Sequence, residues 1–347
     1  MPTDLRLLIS PENQLPLGAA WMLADVMEAR GKQDLWLRKS PETLAALRQQ
    51  AMIQSVESSN RIEGVTVPRE RLRPLLLEHA RPRDRSEEEL AGYRKAMDWI
   101  FKRRPDAELD PAAILRLHKL AQGNTGDAGQ WKRRDNEIIE ILPNGERRVR
   151  FRPTSAREAP RAIAGLCAAY RDAADTGSGP ALLAAAWFVF EFLCVHPFRD
   201  GNGRVSRLLT TLLLERQGFS VCRYVSLERL VEESKEEYYA VLERCSAGWH
   251  EGRNEIFPWV NYFLGLMRRG YAEWTDRMDA AGETGKGELI RQAVLAGDSP
   301  FTLADIQAAC PSVSPQMIKK VLSEMKATGA VALEGRGRGA RWRVVRG

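Results

Sequence analysis

The chain has 347 residues, 44% hydrophobic, 28% charged and 7% aromatic, which excludes disordered, collagen-like and low-complexity classes and leaves room for two or three domains. Of the net charge of +6, five units fall from Lys286 onward, where ten Lys or Arg stand against five acids, so the basic excess belongs to the end of the chain. The longest apolar run, 181–195, is fifteen residues broken by Glu191 and is too short for a bilayer span. Five scattered cysteines without a CxxC pair argue against a disulfide framework and a zinc ribbon, and MPTDLRLLIS lacks a basic stretch leading into an apolar one. The expectation is a soluble, cytoplasmic protein with no membrane partner.

Apolar residues at three- and four-residue spacing predict helices over 43–60, 69–78, 86–103, 110–121, 156–174, 180–195, 203–217, 234–247 and 256–279. Ser40-Pro41, Ser86 with Glu89, and Asp110-Pro111 mark helix starts, and Gly123, Gly177 and Gly218 mark ends. The fold class is therefore mainly α, a helical bundle. Between 137 and 153 two extended runs flank Pro143-Asn144-Gly145, whose Asn-Gly step suits the positive φ values of a tight hairpin turn. A lone hairpin must lie on the bundle. The small, polar residues 282–287 read as a linker. Beyond it, 288–296, 302–309 and 314–328 predict short helices, followed by AVALEG, a Gly-Arg-Gly-Arg-Gly tip and ARWRVV. Three helices and a β-hairpin make a winged helix-turn-helix.

The chemistry concentrates in His196-Pro197-Phe198-Arg199-Asp200-Gly201-Asn202-Gly203-Arg204-Val205-Ser206-Arg207. Proline ends the incoming helix at His196. Gly201 and Gly203 let the backbone turn and approach a ligand, and the amides opening the next helix point at it from the positive end of the dipole, forming an anion cradle. Arg204 and Arg207, three apart, can share one helix face and grip phosphate oxygens. Asp200 offers a hard oxygen ligand for a magnesium ion shared with phosphates. His196 titrates near neutrality and can take a proton from an attacking hydroxyl. Phe198, between polar neighbours, plugs into the core.

These residues resemble the Fic family, whose motif HPFx(D/E)GNGRxxR is met at every position. The resemblance implies transfer of AMP from ATP, with magnesium, to a hydroxyl side chain of a protein. It implies His196 as base, Asp200 as magnesium ligand, Asn202 and the Gly201–Gly203 amides as the α-phosphate site, Arg204 and Arg207 as polyphosphate contacts, and Phe198 as buried anchor. It makes the hairpin a flap that holds a target segment by strand pairing. Residues 129–153 carry seven basic and four acidic side chains, which suits a target with some acidity; a solvated hairpin edge guarded by charge is the alternative. Glu237-Tyr238-Tyr239 with Leu242 is similar to the family's adenine-pocket helix, with Tyr239 as ring contact and Ser246 where some relatives carry asparagine.

Upstream, Ser59-Asn60-Arg61-Ile62-Glu63-Gly64 fits the family's inhibitory pattern (S/T)xxxE(G/N). The resemblance pairs Glu63 with Arg207 and makes the enzyme mostly silent. From the residues alone, Gly64 closing a helix explains the segment equally. The resulting division is an N-terminal helical extension over 1–105, a catalytic core over 106–281, the linker, and the winged helix over 288–347. Removal of AMP by the same site, transfer of another nucleotide, and a DNA-binding regulator whose core only senses nucleotide all stay open. Ser314, Gln316, Lys319 and Lys320, with Arg336, Arg338, Arg341 and Arg343 on the wing, suit DNA phosphates; protein docking is the alternative use, and the layout implies a homodimer by analogy alone. His79, His118 and His250 lack metal-site spacing and read as surface or internally satisfied residues, and Cys194 as a buried, inert thiol.

Overall fold

The computed structural model of the protein describes residues 15–38, 41–78, 80–102, 109–123, 126–141, 145–176, 180–296, 300–310, 313–335 and 340–345. The chain divides into two compact units, Met1–Trp274 and Thr275–Gly347. The first begins with α1 (Leu17–Leu37), α2 (Pro41–Ile62), α3 (Arg69–Leu77), α4 (Arg85–Lys102) and α5 (Pro111–Gln122). The strands β1 (Ile138–Ile141) and β2 (Arg147–Phe151) follow. Then come α6 (Ala159–Thr176), α7 (Ala181–Val195), α8 (Asn202–Arg216), α9 (Leu227–Glu233), α10 (Lys235–Ser246) and α11 (Phe257–Ala296). The chain is mainly helical with a small hairpin, as its periodicity implies. The expected extension is no separate body, since α2 packs against α9 and α4 within the same unit.

Helices α7 and α8 form the centre. A helix apolar on every side must be buried on every side, and α7 buries Trp187, Phe188, Phe190 and Phe192 while α8 buries Leu208, Leu209, Leu212, Leu213 and Leu214. At roughly 1.5–3 kcal/mol for each such side chain, this pair makes a rigid frame for the loop between them. Asp110 caps α5 by accepting from the Ala113 N–H, with Pro111 in the first turn. Ser40 and Gly177 lie outside the described residues, and the expected Ser86 cap differs. Asp84, not Ser86, accepts from the Glu87 N–H, and α4 begins at Arg85. Glu89 does not reach back to the helix start, because its carboxylate is buried against the guanidinium of Arg204, a stronger partner than a backbone N–H.

Among the described residues, two α-helices and a short 3-10 helix at Ser220–Arg223 have no counterpart in the predicted elements. In α1 the buried residues are Ala19, Val26, Gln33 and Trp36, while Leu17, Trp21 and Leu35 are exposed, so no apolar stripe marks it. The seven-residue α9 is too short to show a period. The hairpin is antiparallel, pairing Ile139 with Val149 and Ile141 with Arg147, with an irregularity between Ile138 and Ile139. Gly145 has φ +83°, the positive value its turn needs; Pro143 and Asn144 lie outside the described residues, as does His79.

The stretch expected as a linker is helical, because α11 runs unbroken from Phe257 to Ala296. Glycine costs about 1 kcal/mol per helical position, but Trp274 is buried before the stretch, and Ile290 and Val294 after it belong to the core of the second unit. The second unit continues with α12 (Leu303–Ala309), capped by a reciprocal Thr302–Asp305 box, and α13 (Pro315–Ala327), capped by Ser314. Strands β3 (Val331–Glu334) and β4 (Arg341–Val344) pair antiparallel, and Phe301 bridges to Trp342. The expected tip residues Arg336 and Arg338 lie outside the described residues.

Candidate active site

His196 closes α7 with φ +50° and ψ +59°, the left-handed region that costs a non-glycine residue roughly 1–2 kcal/mol. Among the described residues it is the one non-glycine there. Its N–H donates to the Phe192 carbonyl at 2.9 Å, and its Nδ1 stands 3.3 Å from the Leu193 carbonyl. A carbonyl only accepts, so Nδ1 carries the proton and Nε2 keeps its lone pair. Burial, and then the charge of Lys132, pull the imidazole down to about 4. At neutral pH it is an uncharged base.

The loop is braced from behind. Phe198 is fully buried and stacks on His118 at 3.8 Å and on Trp131 at 5.2 Å. His118 is satisfied on both nitrogens: Nδ1 accepts from the Gly129 N–H at 2.9 Å, so Nε2 donates to the Asp200 carbonyl at 3.1 Å. Asn202 donates from Nδ2 to the Phe198 carbonyl at 2.8 Å and accepts at Oδ1 from the Phe198 N–H at 3.0 Å. Its side chain is therefore a loop brace, and what it offers a ligand is its backbone N–H in the first turn of α8. Gly201 has φ +80°, and a Cβ there would lie 2.5 Å from Gln122 Nε2. Gly201→Ala should cost about 1–2 kcal/mol, read as a lower urea midpoint at unchanged m-value.

A cavity of about 650 Å³ opens over the loop, and His196, Gly203, Arg207, Glu63, the hairpin residues Ile138, Ile139 and Arg150, and Tyr239, Leu242 and Ser246 of α10 line it. Arg207 is held from α2: Nε donates to Ser59 Oγ at 2.9 Å, and NH2 to the Ser59 carbonyl at 2.9 Å and to Glu63 Oε1 at 2.8 Å. A Cβ on Gly203 would fall 2.2 Å from Glu63 Oε1, so the carboxylate lies directly over the start of α8. Gly64, at φ +81°, turns the chain there, and its N–H donates to the Arg61 carbonyl at 3.0 Å. Helix end and carboxylate–guanidinium contact thus coexist in one segment.

Arg204 and Asp200 are placed differently. Arg204 donates from NH1 to Glu89 Oε2 at 2.6 Å and from NH2 to Gln122 Oε1 at 3.1 Å, with 2% of its side chain exposed, and it is not among the cavity's lining residues. The expected pair of arginines on one face is split, because helix spacing cannot say which side chain meets a buried carboxylate. Asp200 is 56% exposed, accepts from the Gly201 N–H at 2.6 Å, and faces a smaller cavity of about 200 Å³ with Arg85, Asp127 and Arg199.

Tyr239 presents its ring to the main cavity, with the Arg150 guanidinium 5.4 Å from the ring centre; Arg150 also donates to the Tyr239 carbonyl. Arg148 bridges Glu140 and Glu243, each at 2.6 Å, so the hairpin is tied to α10. Cys194 is buried, and burial pushes its thiol well up. Lys132 was missed. It is buried, donates from Nζ to Asn136 Oδ1 at 2.8 Å and from its N–H to the Pro197 carbonyl at 2.9 Å, and burial pulls its ammonium down to about 8. Nothing in its basic surroundings in the sequence marks it as different from Arg133 and Arg134.

Residues 108–214 match the model of the Fic/DOC family. A protein adenylyltransferase fic-1 from Caenorhabditis briggsae is 28% identical over 149 residues, 43% of this chain and 25% of that protein, so the chain spans about a quarter of that relative. Among solved structures, a Fic domain containing signaling protein from Bacteroides thetaiotaomicron superposes with a TM-score of 0.62 at 22% identity, over 74% of this chain and 97% of the other. A Fic family protein from Desulfovibrio desulfuricans covers 97% of this chain and 98% of its own, with a TM-score of 0.57 at 21% identity. These two share the fold.

Proposed function

We propose, from the match of residues 108–214 to the Fic/DOC family, that the chain transfers AMP from ATP to a hydroxyl side chain of a protein, itself included, and that Glu63 holds the reaction at rest. The observation that carries this reading is the meeting of His196, Arg207 and Glu63 on one cavity. His196 Nε2 takes the proton of the acceptor hydroxyl, the oxygen attacks the α-phosphorus, and pyrophosphate leaves. Arg207 and the first amides of α8 hold the phosphates, and Tyr239 lies where a base could stack. Among the described residues β1 pairs on one edge only, with β2, and its other edge suits an added target strand.

Asp200 fits magnesium. Its Oδ2 pairs only loosely, at 3.9 Å, with the guanidinium groups of Arg85 and Arg204, and its side chain is 56% exposed, within reach of a hard cation. Among the described residues no group of three His, Cys, Asp or Glu side chains could hold a metal, so phosphates and water would complete the shell, as magnesium favours. When bound, the ion neutralises phosphate charge.

Glu63 occupies the NH2 donor of Arg207 that a terminal phosphate would take, and it adds negative charge beside Gly203. ATP then sits misaligned, and a displacement of about 1 Å can cost roughly a hundredfold in rate. Glu63→Gly should therefore raise AMP incorporation about a hundredfold. Intact-mass spectrometry of that variant after incubation with ATP and magnesium should show the added AMP. A variant as silent as the parent, on itself and on a cell lysate, overturns the reading. For the second unit we propose a winged helix that meets DNA phosphates through the exposed Lys319, Lys320 and Arg341. An electrophoretic shift abolished by charge reversal at these residues supports it, and no shift at low salt removes it.

A further inference from the structure

A second cavity, of about 780 Å³, opens between the segment leading into β1 and Arg199 of the catalytic loop. Its charged lining sets the cations Lys132, Arg133, Arg134 and Arg199 against the acids Asp127 and Asp135, an excess of two positive charges. None of the four cations lines the main cavity. On the hairpin, by contrast, Arg148 is engaged by Glu140 and Glu243, and Arg152 by Glu137. Among the described residues the four cations of the second cavity have no carboxylate in salt-bridge contact. Arg133 donates to Gln130 Oε1 and Lys132 Nζ to Asn136 Oδ1, each at 2.8 Å.

Lys132 is the informative member, because it is only 4% exposed. An ammonium has three N–H donors, and two of its three have no acceptor among the described residues. Asp135, whose charge acts on it, accepts instead from the Ala156 N–H at 2.6 Å. A buried cation is costly unless an anion meets it, and burial pulls this ammonium down to about 8. The cavity's wall is also fixed to the catalytic loop: the Lys132 N–H donates to the Pro197 carbonyl at 2.9 Å, and Asn136 Nδ2 to the Phe198 carbonyl at 3.2 Å.

We infer that this cavity is an oxyanion site, in which Lys132, Arg133, Arg134 and Arg199 receive a carboxylate or phosphate, and that its occupant is an acidic side chain of the protein whose hydroxyl is modified. The choice of occupant rests on the proposed function; the oxyanion site does not. Position favours that occupant. Residues 133–137 run directly into β1, the strand proposed to hold the target, and Arg199 follows His196 by three residues, at most about 10 Å of chain. An extended segment advances about 3.3 Å per residue. A target hydroxyl at His196 therefore puts a side chain roughly three residues away within reach of Arg199.

Two measurements test this. In nitrogen-15 NMR, inorganic phosphate should shift the amides of residues 130–136 and 199 with one dissociation constant. That constant should rise about tenfold or more in Lys132→Met, which removes one charge-assisted contact. Arg133, Arg134 and Arg199 are exposed, so the triple variant Arg133→Gln, Arg134→Gln, Arg199→Gln carries the same test should Lys132→Met not fold. The second measurement compares a peptide whose threonine has glutamate three residues away on each side with its glutamine twin. In the Glu63→Gly background the acidic peptide should be modified with a kcat/KM about tenfold higher. The triple variant should bring that ratio to about one and leave the KM for ATP unchanged. No phosphate shifts in this segment, or equal shifts in the variants, overturn the oxyanion site. Phosphate binding with no preference between the peptides, or displacement of phosphate from this cavity by ATP, keeps the site and overturns the acidic target. Phosphate binding in a Glu63→Gly protein that transfers no AMP upholds the site and overturns the proposed function.

Discussion

Replacing His196 by alanine in the Glu63→Gly background should cut AMP transfer about a hundred- to ten-thousandfold, the range a positioned general base supplies. The backbone leaves His196 little freedom: Pro197 forbids continuing the helix, and the Leu193 carbonyl fixes the protonated nitrogen. Only Nε2 remains for chemistry. Because burial and Lys132 hold the imidazole near 4, kcat/KM should stay level from pH 8 to pH 5 as far as this group decides it, and fall as pH drops through about 4. An ordinary imidazole would be half protonated near pH 6.5. The same shift has a sign for stability. Below about pH 6.5 the unfolded chain binds a proton that the folded chain refuses until about 4, so His196 destabilises the fold progressively as pH falls across that window. A kcat/KM profile with its acid limb near 6.5 would contradict this account. Retained transfer by His196→Ala would remove the histidine from the chemistry.

Glu89→Ala should cost about 3–5 kcal/mol of folding stability, because breaking a buried ion pair strands the surviving charge. Arg204 is 2% exposed, and its Nε already lacks a partner; without Glu89 its guanidinium would keep the neutral Gln122 amide and a loose contact to the exposed Asp200 carboxylate at 3.9 Å. Arg85 also donates to Glu89, at 2.8 Å from its Nε, but its exposed side chain contributes little. Urea denaturation measures the loss. The double change Glu89→Leu with Arg204→Met should be far milder, since apolar replacements of similar volume leave no buried charge. If Glu89→Ala costs under about 1 kcal/mol, the pair contributes no more than a surface bridge.

The loop from His196 to Arg207 was legible because its constraints are local: proline stops a helix, glycine permits a turn, and a helix start presents amides. The hairpin was legible for the same reason. The split between Arg204 and Arg207 was not, because it depends on Glu89, 115 residues away in the chain. Glu63 and Arg207 are 144 residues apart, and only resemblance to a known pattern joined them in advance. The helical course of 282–287 escaped notice since its composition is that of a loop, and the residues that hold it lie outside the stretch.

Arg150 belongs to two structures at once. Its strand, β2, pairs with β1, while its guanidinium lies over the Tyr239 ring and donates to the Tyr239 carbonyl. A segment added to the edge of β1 and a base laid on Tyr239 would therefore draw on the same side chain. If seating one shifts Arg150 in favour of the other, linkage makes the effect reciprocal: the factor by which a target strengthens nucleotide binding equals the factor by which nucleotide strengthens the hold on the target. Order of arrival would not matter to that equilibrium, and a single arginine would set its size.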